Sequence, residues 1–114
     1  MAESKERQAE EIIKAITKRI NDHSEDIKGW DKAFQIVFTD IMVAYWVKIS
    51  TDGTVETVEK STKKKEAAAT INSTTDTLQN ILNGTTSAIL AMISGQIQIE
   101  GTIETLMKLR PAFV

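Results

Sequence analysis

The spacing of apolar residues changes along this chain, and that change most constrains what it can fold into. Ala9, Ile12, Ile13, Ile16 and Ile20 recur every three or four residues, lining one face of a helix. From Ala33 the period is two: Phe34, Ile36 and Phe38 share a face, with Gln35, Val37 and Thr39 opposite. After a break near Asp40, Tyr45, Val47 and Ile49 alternate with Trp46, Lys48 and Ser50. A helical pattern cannot sit as a strand, nor the reverse, so one helix is followed by at least two strands.

The remaining elements follow from caps and turns. The first helix ends near Asn21-Asp22-His23, with Glu10 and Lys14 expected to pair on its wet side, and Ser24 caps a short turn through Ile27 to Gly29. Thr51-Asp52-Gly53-Thr54 holds the Asp-Gly pair of a tight hairpin, answered by a polar strand from Val55 to Glu59. The Lys-rich "KSTKKKE" reads as a loop, and Ala67 to Asn72 as a fourth strand. Thr74 to Asp76 offer capping oxygens to a helix striped by Leu78, Ile81 and Leu82, which Asn83-Gly84 stops. Thr85 to Ser87 cap "AILAMI", a helix apolar on every side and so expected to be covered all round. A strand of Gln96 to Glu100, fenced by Gly95 and Gly101, leads into a closing helix. That helix starts at Thr102, carries Ile103, Leu106 and Met107 on one stripe, and is expected to end at Pro111. The class is α+β: an about five-stranded, mostly antiparallel twisted sheet with helices on one face.

Composition narrows the function by exclusion. The net charge is −2, so there is no excess of positive charge to displace counterions, and a nucleic-acid partner is not expected. No apolar run approaches the ~20 residues a membrane span needs, and the N-terminus is charged from its third residue, unlike a secretory signal. The expected location is cytoplasmic, with at most transient contact at a membrane surface, and the 114 residues read as one domain, 1–114. With no cysteine, disulfides and thiolate chemistry are absent. Asn72-Ser73-Thr74 and Asn83-Gly84-Thr85 match the glycosylation pattern but read as cap and turn residues. His23, the sole histidine, reads as a solvated helix-end residue. No nucleophile elbow, phosphate-cradling loop or pair of metal-binding histidines occurs, so neither catalysis, cofactor nor metal is expected.

Two features carry alternative readings. Lys60 and Lys63-Lys64-Lys65 would meet lipid headgroups or acyl-CoA phosphates, but without interleaved aromatics they read first as a solvated loop blunting a sheet edge. Met42, Met92 and Met107 suit either a packed core or the wall of an adaptable site.

The C-terminal stretch "SAILAMISGQIQIEGTIETLMKL" resembles the signature of the sterol carrier protein family of small lipid-transfer domains. Its parts stand here as the apolar helix Ala88 to Ile93, the strand Gly95 to Ile99, Gly101, and the closing Leu106 to Leu109. Upstream, "DIKGWDKAFQIVFTD" resembles the family's first strand, "YWVKISTDGTVETVEK" its central hairpin, and "AAATINSTTDTLQNILNG" its strand-to-helix step. The likeness runs in order over nearly the whole chain. Two departures stand out: the chain ends Ala-Phe-Val rather than in a peroxisomal Ser-Lys-Leu-type tripeptide, and Gln96 and Gln98 replace the family's strand lysines.

The resemblance implies a free-standing microbial member enclosing an apolar tunnel for a lipid, fatty acid or fatty acyl-CoA, without catalysis. Carried over by position, the wall candidates are Phe34, Ile36 and Phe38, Leu78, Ile81 and Leu82, Ile89, Leu90 and Ile93, and Met107, Leu109 and Phe113. The competing reading keeps the fold but uses the apolar C-terminal helix to dock a protein partner.

Overall fold

The computed structural model describes residues 2–63 and 65–113. Helix α1 (Ala2–Asp22) and the short α2 (Ser24–Ile27) precede strands β1 (Ala33–Phe38), β2 (Val43–Ile49), β3 (Val55–Ser61) and β4 (Ala69–Ser73). Helices α3 (Thr75–Leu82) and α4 (Ala88–Ile93), strand β5 (Gln98–Gly101) and helix α5 (Ile103–Phe113) complete the chain. The sheet order is β3-β2-β1-β4-β5, antiparallel throughout except for the parallel pair β1–β4. The α+β class read from the sequence is the class observed.

Register explains the inner face. Val58, Val47, Phe34, Ala69 and Gly101 align across all five strands, and Lys60, Tyr45, Ile36, Ile71 and Ile99 form the next row. Phe34, Ile36, Phe38, Val47 and Ile49 are fully buried, as are Ile12, Ile16 and Ile20 of α1, and all belong to one apolar core. Phe38 meets Tyr45 edge to face at 5.8 Å, a favoured aromatic geometry. Glu10 of α1 faces Lys60 of β3 at 3.9 Å, whereas Lys14 pairs with Glu11 at 3.6 Å. The expected Glu10–Lys14 pair is therefore replaced by a clasp between helix and sheet edge.

Three of the four expected caps fall where small hydroxyls predict them; at α2, Ser24 is instead the first helical residue and His23 precedes it without a side-chain capping bond. Thr74 Oγ1 accepts from Thr77 N at 3.2 Å, Ser87 Oγ from Leu90 N at 3.4 Å, and Thr102 Oγ1 from Thr105 N at 3.2 Å. Asp40 reinforces the start of α3 by accepting from the backbone N–H and hydroxyl of the buried Thr75 at 3.1 and 2.6 Å.

Four boundaries differ from expectation. Strand β3 runs past Glu59 through Lys60 and Ser61, taking the start of the Lys-rich stretch into the sheet, and β4 spans Ala69–Ser73 rather than Ala67 to Asn72. Both Gln96 N and Ile97 N donate to Ala91 O, so these residues fold back on α4 and β5 begins only at Gln98. Helix α5 runs through Pro111 to Phe113. Proline removes one N–H, the donor to Met107 O, and so close to the helix end the loss of that single bond does not stop the last turn.

The β2–β3 turn is tied to α2. Gly53 has φ +88°, and a Cβ there would lie 2.1 Å from Ser24 O. Gly53→Ala is expected to cost roughly 2 kcal/mol or more, from positive-φ strain plus the clash, as read by urea denaturation. Asp52 accepts from Ser50 Oγ, Thr54 Oγ1 and Thr54 N at 2.5, 2.7 and 3.1 Å, bonds that hold its carboxyl at about 2. Because its folded value lies below the ordinary 3.8, its stabilisation is present above that pH and is lost as pH falls through about 2. Asp52→Asn should flatten the acid limb of a stability profile in that window, while an unchanged limb would assign acid sensitivity elsewhere.

Candidate lipid-binding cavity

Helix α1 covers the β1–β2–β3 side of the sheet, and the shorter helices must cover β4 and β5. They leave a gap. A half-open cavity of about 720 Å³ lies among Ile71 of β4, Ile99 of β5 and the apolar sides of α3, α4 and α5. This size lies within the ~300–1,000 Å³ usual for small-molecule sites.

Each wall is built by an amphipathic segment. The stripe of α3 contributes Leu78, Ile81 and Leu82, and α4 contributes Ala88, Ile89 and Met92. Across the opening, α5 presents Leu106, Met107, Leu109 and Phe113. Ile97 joins the wall because the fold-back onto Ala91 holds its segment beneath α4.

Among the described residues two charged side chains line this cavity, and both are arginines. Arg19 lies on the same side of α1 as Ile12 and Ile16, and its Nη2 donates to Leu82 O, the last carbonyl of α3, at 2.6 Å. A cation is favoured at that negative helix end. Arg110 of α5 is exposed at the wall, and no Asp or Glu side chain lines it among the described residues. The described lining therefore combines aliphatic wall with positive charge. Nothing among the lining residues provides a nucleophile paired with a base.

The wall candidates read from the sequence divide three ways. Leu78, Ile81, Leu82, Ile89, Met107, Leu109 and Phe113 line the cavity. Phe34, Ile36 and Phe38 do not: they are fully buried among α1 and the neighbouring strands, where apolar side chains close over them. Leu90 and Ile93 do not line it either. They point outward, 63% and 78% exposed, because α4 turns only one narrow side inward and Ala91 is its one buried residue. The expected all-round covering of α4 is thus not found.

Residues the sequence reading omitted include Arg19, Ile71, Ile97, Ile99 and Arg110, while Met92, read as suiting either core or wall, lines the cavity. For Arg19 a signal existed: it stands seven residues after Ile12 and three after Ile16, on the stripe itself. Of the lysines, Lys60 is held near Glu6 and Glu10, and Lys65 pairs with Glu59 while lying 4.9 Å from the Trp46 ring centre. Lys63 caps nothing in the cavity, its N–H going to Ser61 Oγ, and Lys64 lies outside the described residues. None of these described lysines reaches the cavity wall. His23, at the end of α1, has Nδ1 2.8 Å from Arg19 O, and no cluster that would hold a metal occurs among the described residues.

A second cleft, about 790 Å³, shares Met107 with the first. It mixes Asp26 and Glu104 with Lys32 and Lys108, so it presents neither an apolar wall nor one sign of charge.

The burial pattern separates wall from core experimentally. Met107 is 62% exposed, so Met107→Ala should change stability by less than about 1 kcal/mol while altering affinity or chain-length preference for an apolar ligand. Phe38→Ala should cost about 3–5 kcal/mol. Melts and ligand titrations on both variants check this; a large loss of stability for Met107→Ala, with binding unchanged, would contradict its place in the wall.

Comparison with known proteins bears on the fold and the family. The profile of the SCP-2 sterol transfer family matches residues 13–114. A crystal structure of sterol carrier protein 2 superposes with a TM-score of 0.66 at 18% identity, covering 89% of this chain and 86% of that one. Sterol carrier protein 2 like 2 from Aedes aegypti gives 0.65 at 17% identity, with 91% and 94% covered. The inverting sec-alkylsulfatase Pisa1 from Pseudomonas gives 0.70 at 18% identity over 86% of this chain, which spans only 15% of that enzyme. No protein of curated function matches in sequence. At these identities the superpositions speak to fold alone, but the profile match spans most of the chain, which belongs to the SCP-2 sterol transfer family.

Proposed function

We propose that residues 1–114 act as one non-catalytic carrier domain in the cytoplasm, holding the tail of a fatty acid, fatty acyl-CoA or related lipid in the cavity beneath α4 and α5. The observation that supports this reading most directly is the cavity's aliphatic wall, built from Ile71, Leu78, Ile81, Ile99 and Leu109 among others. Each methylene taken from water into such a wall contributes ~0.8 kcal/mol, so a long tail needs few polar contacts. Arg19 and Arg110, with no Asp or Glu beside them among the described lining residues, favour a ligand whose head is anionic over a neutral one.

A titration with a fluorescent fatty acid, followed by competition with unlabelled acids, tests the proposal. Binding should saturate, tighten up to about fourfold per added methylene until the cavity is full, and weaken for the neutral methyl ester. Absence of saturable binding would defeat the carrier reading. Equal affinity for acid and ester would remove the role given to the arginines.

A further inference from the structure

From Thr77 to Ile99 the chain carries no charged side chain. In the middle of that stretch, Ile89, Leu90, Met92 and Ile93 of α4 are 66%, 63%, 43% and 78% exposed, and Met107 of α5 is 62% exposed. Scattered apolar residues on a surface need no explanation, but four on one six-residue helix make a patch. The patch is continuous with the cavity, since Ile89, Met92 and Met107 belong to both.

We propose that α4 and the cavity rim form a membrane-docking surface, with Leu90 and Ile93 entering the interfacial layer of an anionic phospholipid bilayer. Three observations favour a bilayer over a protein. The patch's five exposed apolar side chains, four of them on α4, are far fewer than the roughly 20–30 residues a side that a stable protein interface engages. The uncharged stretch lacks the charge pattern that fixes partner and register between proteins. Arg110, exposed at the rim, suits anionic headgroups, a surface cation near such a membrane being worth roughly fivefold in binding. Docked this way, the cavity opens onto the lipid rather than onto water.

Leu90 and Ile93 lie outside the cavity lining, which separates this proposal from lipid carriage. The test is flotation of the full chain with vesicles of phosphatidylcholine and phosphatidylglycerol, or of phosphatidylcholine alone. Wild type should float with the mixed vesicles and less with the neutral ones. Leu90→Ser/Ile93→Ser should lower partition at least tenfold, since each side chain withdrawn from lipid carries about that factor. Its melting temperature and its vesicle-free fatty-acid titration should match wild type. Wild type that ignores the mixed vesicles, or a double variant that floats equally well, overturns the proposal. So does wild type that ignores vesicles and sediments as a dimer while the double variant sediments as a monomer: a second copy would then cover the patch.

Discussion

Strand β1 is the constraint on which the rest of the molecule depends. It pairs antiparallel with β2 on one side and parallel with β4 on the other, and both its faces are covered. Inward, Phe34, Ile36 and Phe38 meet the stripe of α1. Outward, the buried Gln35 donates to Lys65 O and Thr70 Oγ1 at 2.5 and 2.9 Å and accepts from Lys65 N at 2.9 Å. A buried amide left unpaired costs about 1–3 kcal/mol, so Gln35 fixes where the Lys-rich loop crosses the sheet. The long return from β3 to β4 then delivers β4 parallel to β1, with Ile71 beside Ile36.

That placement creates the cavity. Along one row of the sheet, Tyr45 and Ile36 are sealed under α1, while Ile71 and Ile99 continue the same inner face beyond its reach. The helices over β4 and β5 are short, with eight, six and eleven residues. Arg19 anchors one of them by bonding the end of α3, which carries positive charge from the first helix to the cavity wall.

Periodicity made most elements legible, because burial of one face imposes the same spacing whatever lies beyond that face. For that reason it could not distinguish Phe34, Ile36 and Phe38, sealed in the core, from Leu78, Ile81 and Leu82, which border the cavity. Both sets are inward stripes; the difference is whether a second layer meets them. The same limit explains α4. Apolar residues all round a helix imply covering, but the structure buries only Ala91, and Leu90 and Ile93 face outward. The start of β5 was hidden for another reason: Gln96 and Ile97 alternate as a strand would, yet their N–H groups are taken by Ala91 O.

The two sides of the molecule divide stability and access between them. The α1–β1–β2 side concentrates the fully buried large side chains, Ile12, Ile16, Ile20, Phe34, Phe38 and Val47 among them. On the α3–α5 side, α3 and α5 bury Leu78, Ile81, Leu82, Leu109 and Ala112, α4 buries only Ala91, and each helix start is capped: Thr74 and Asp40 on α3, Ser87 on α4, Thr102 on α5. Local opening is easiest where buried apolar contacts are fewest, so α4, which buries only Ala91, is the part of the cavity wall least bound to one position. A close-packed core that admitted a guest would have to give up its own contacts first. Keeping the packing and the gap on separate stretches of one sheet avoids that conflict, and lets residues at the rim change without disturbing the strand that holds the fold together.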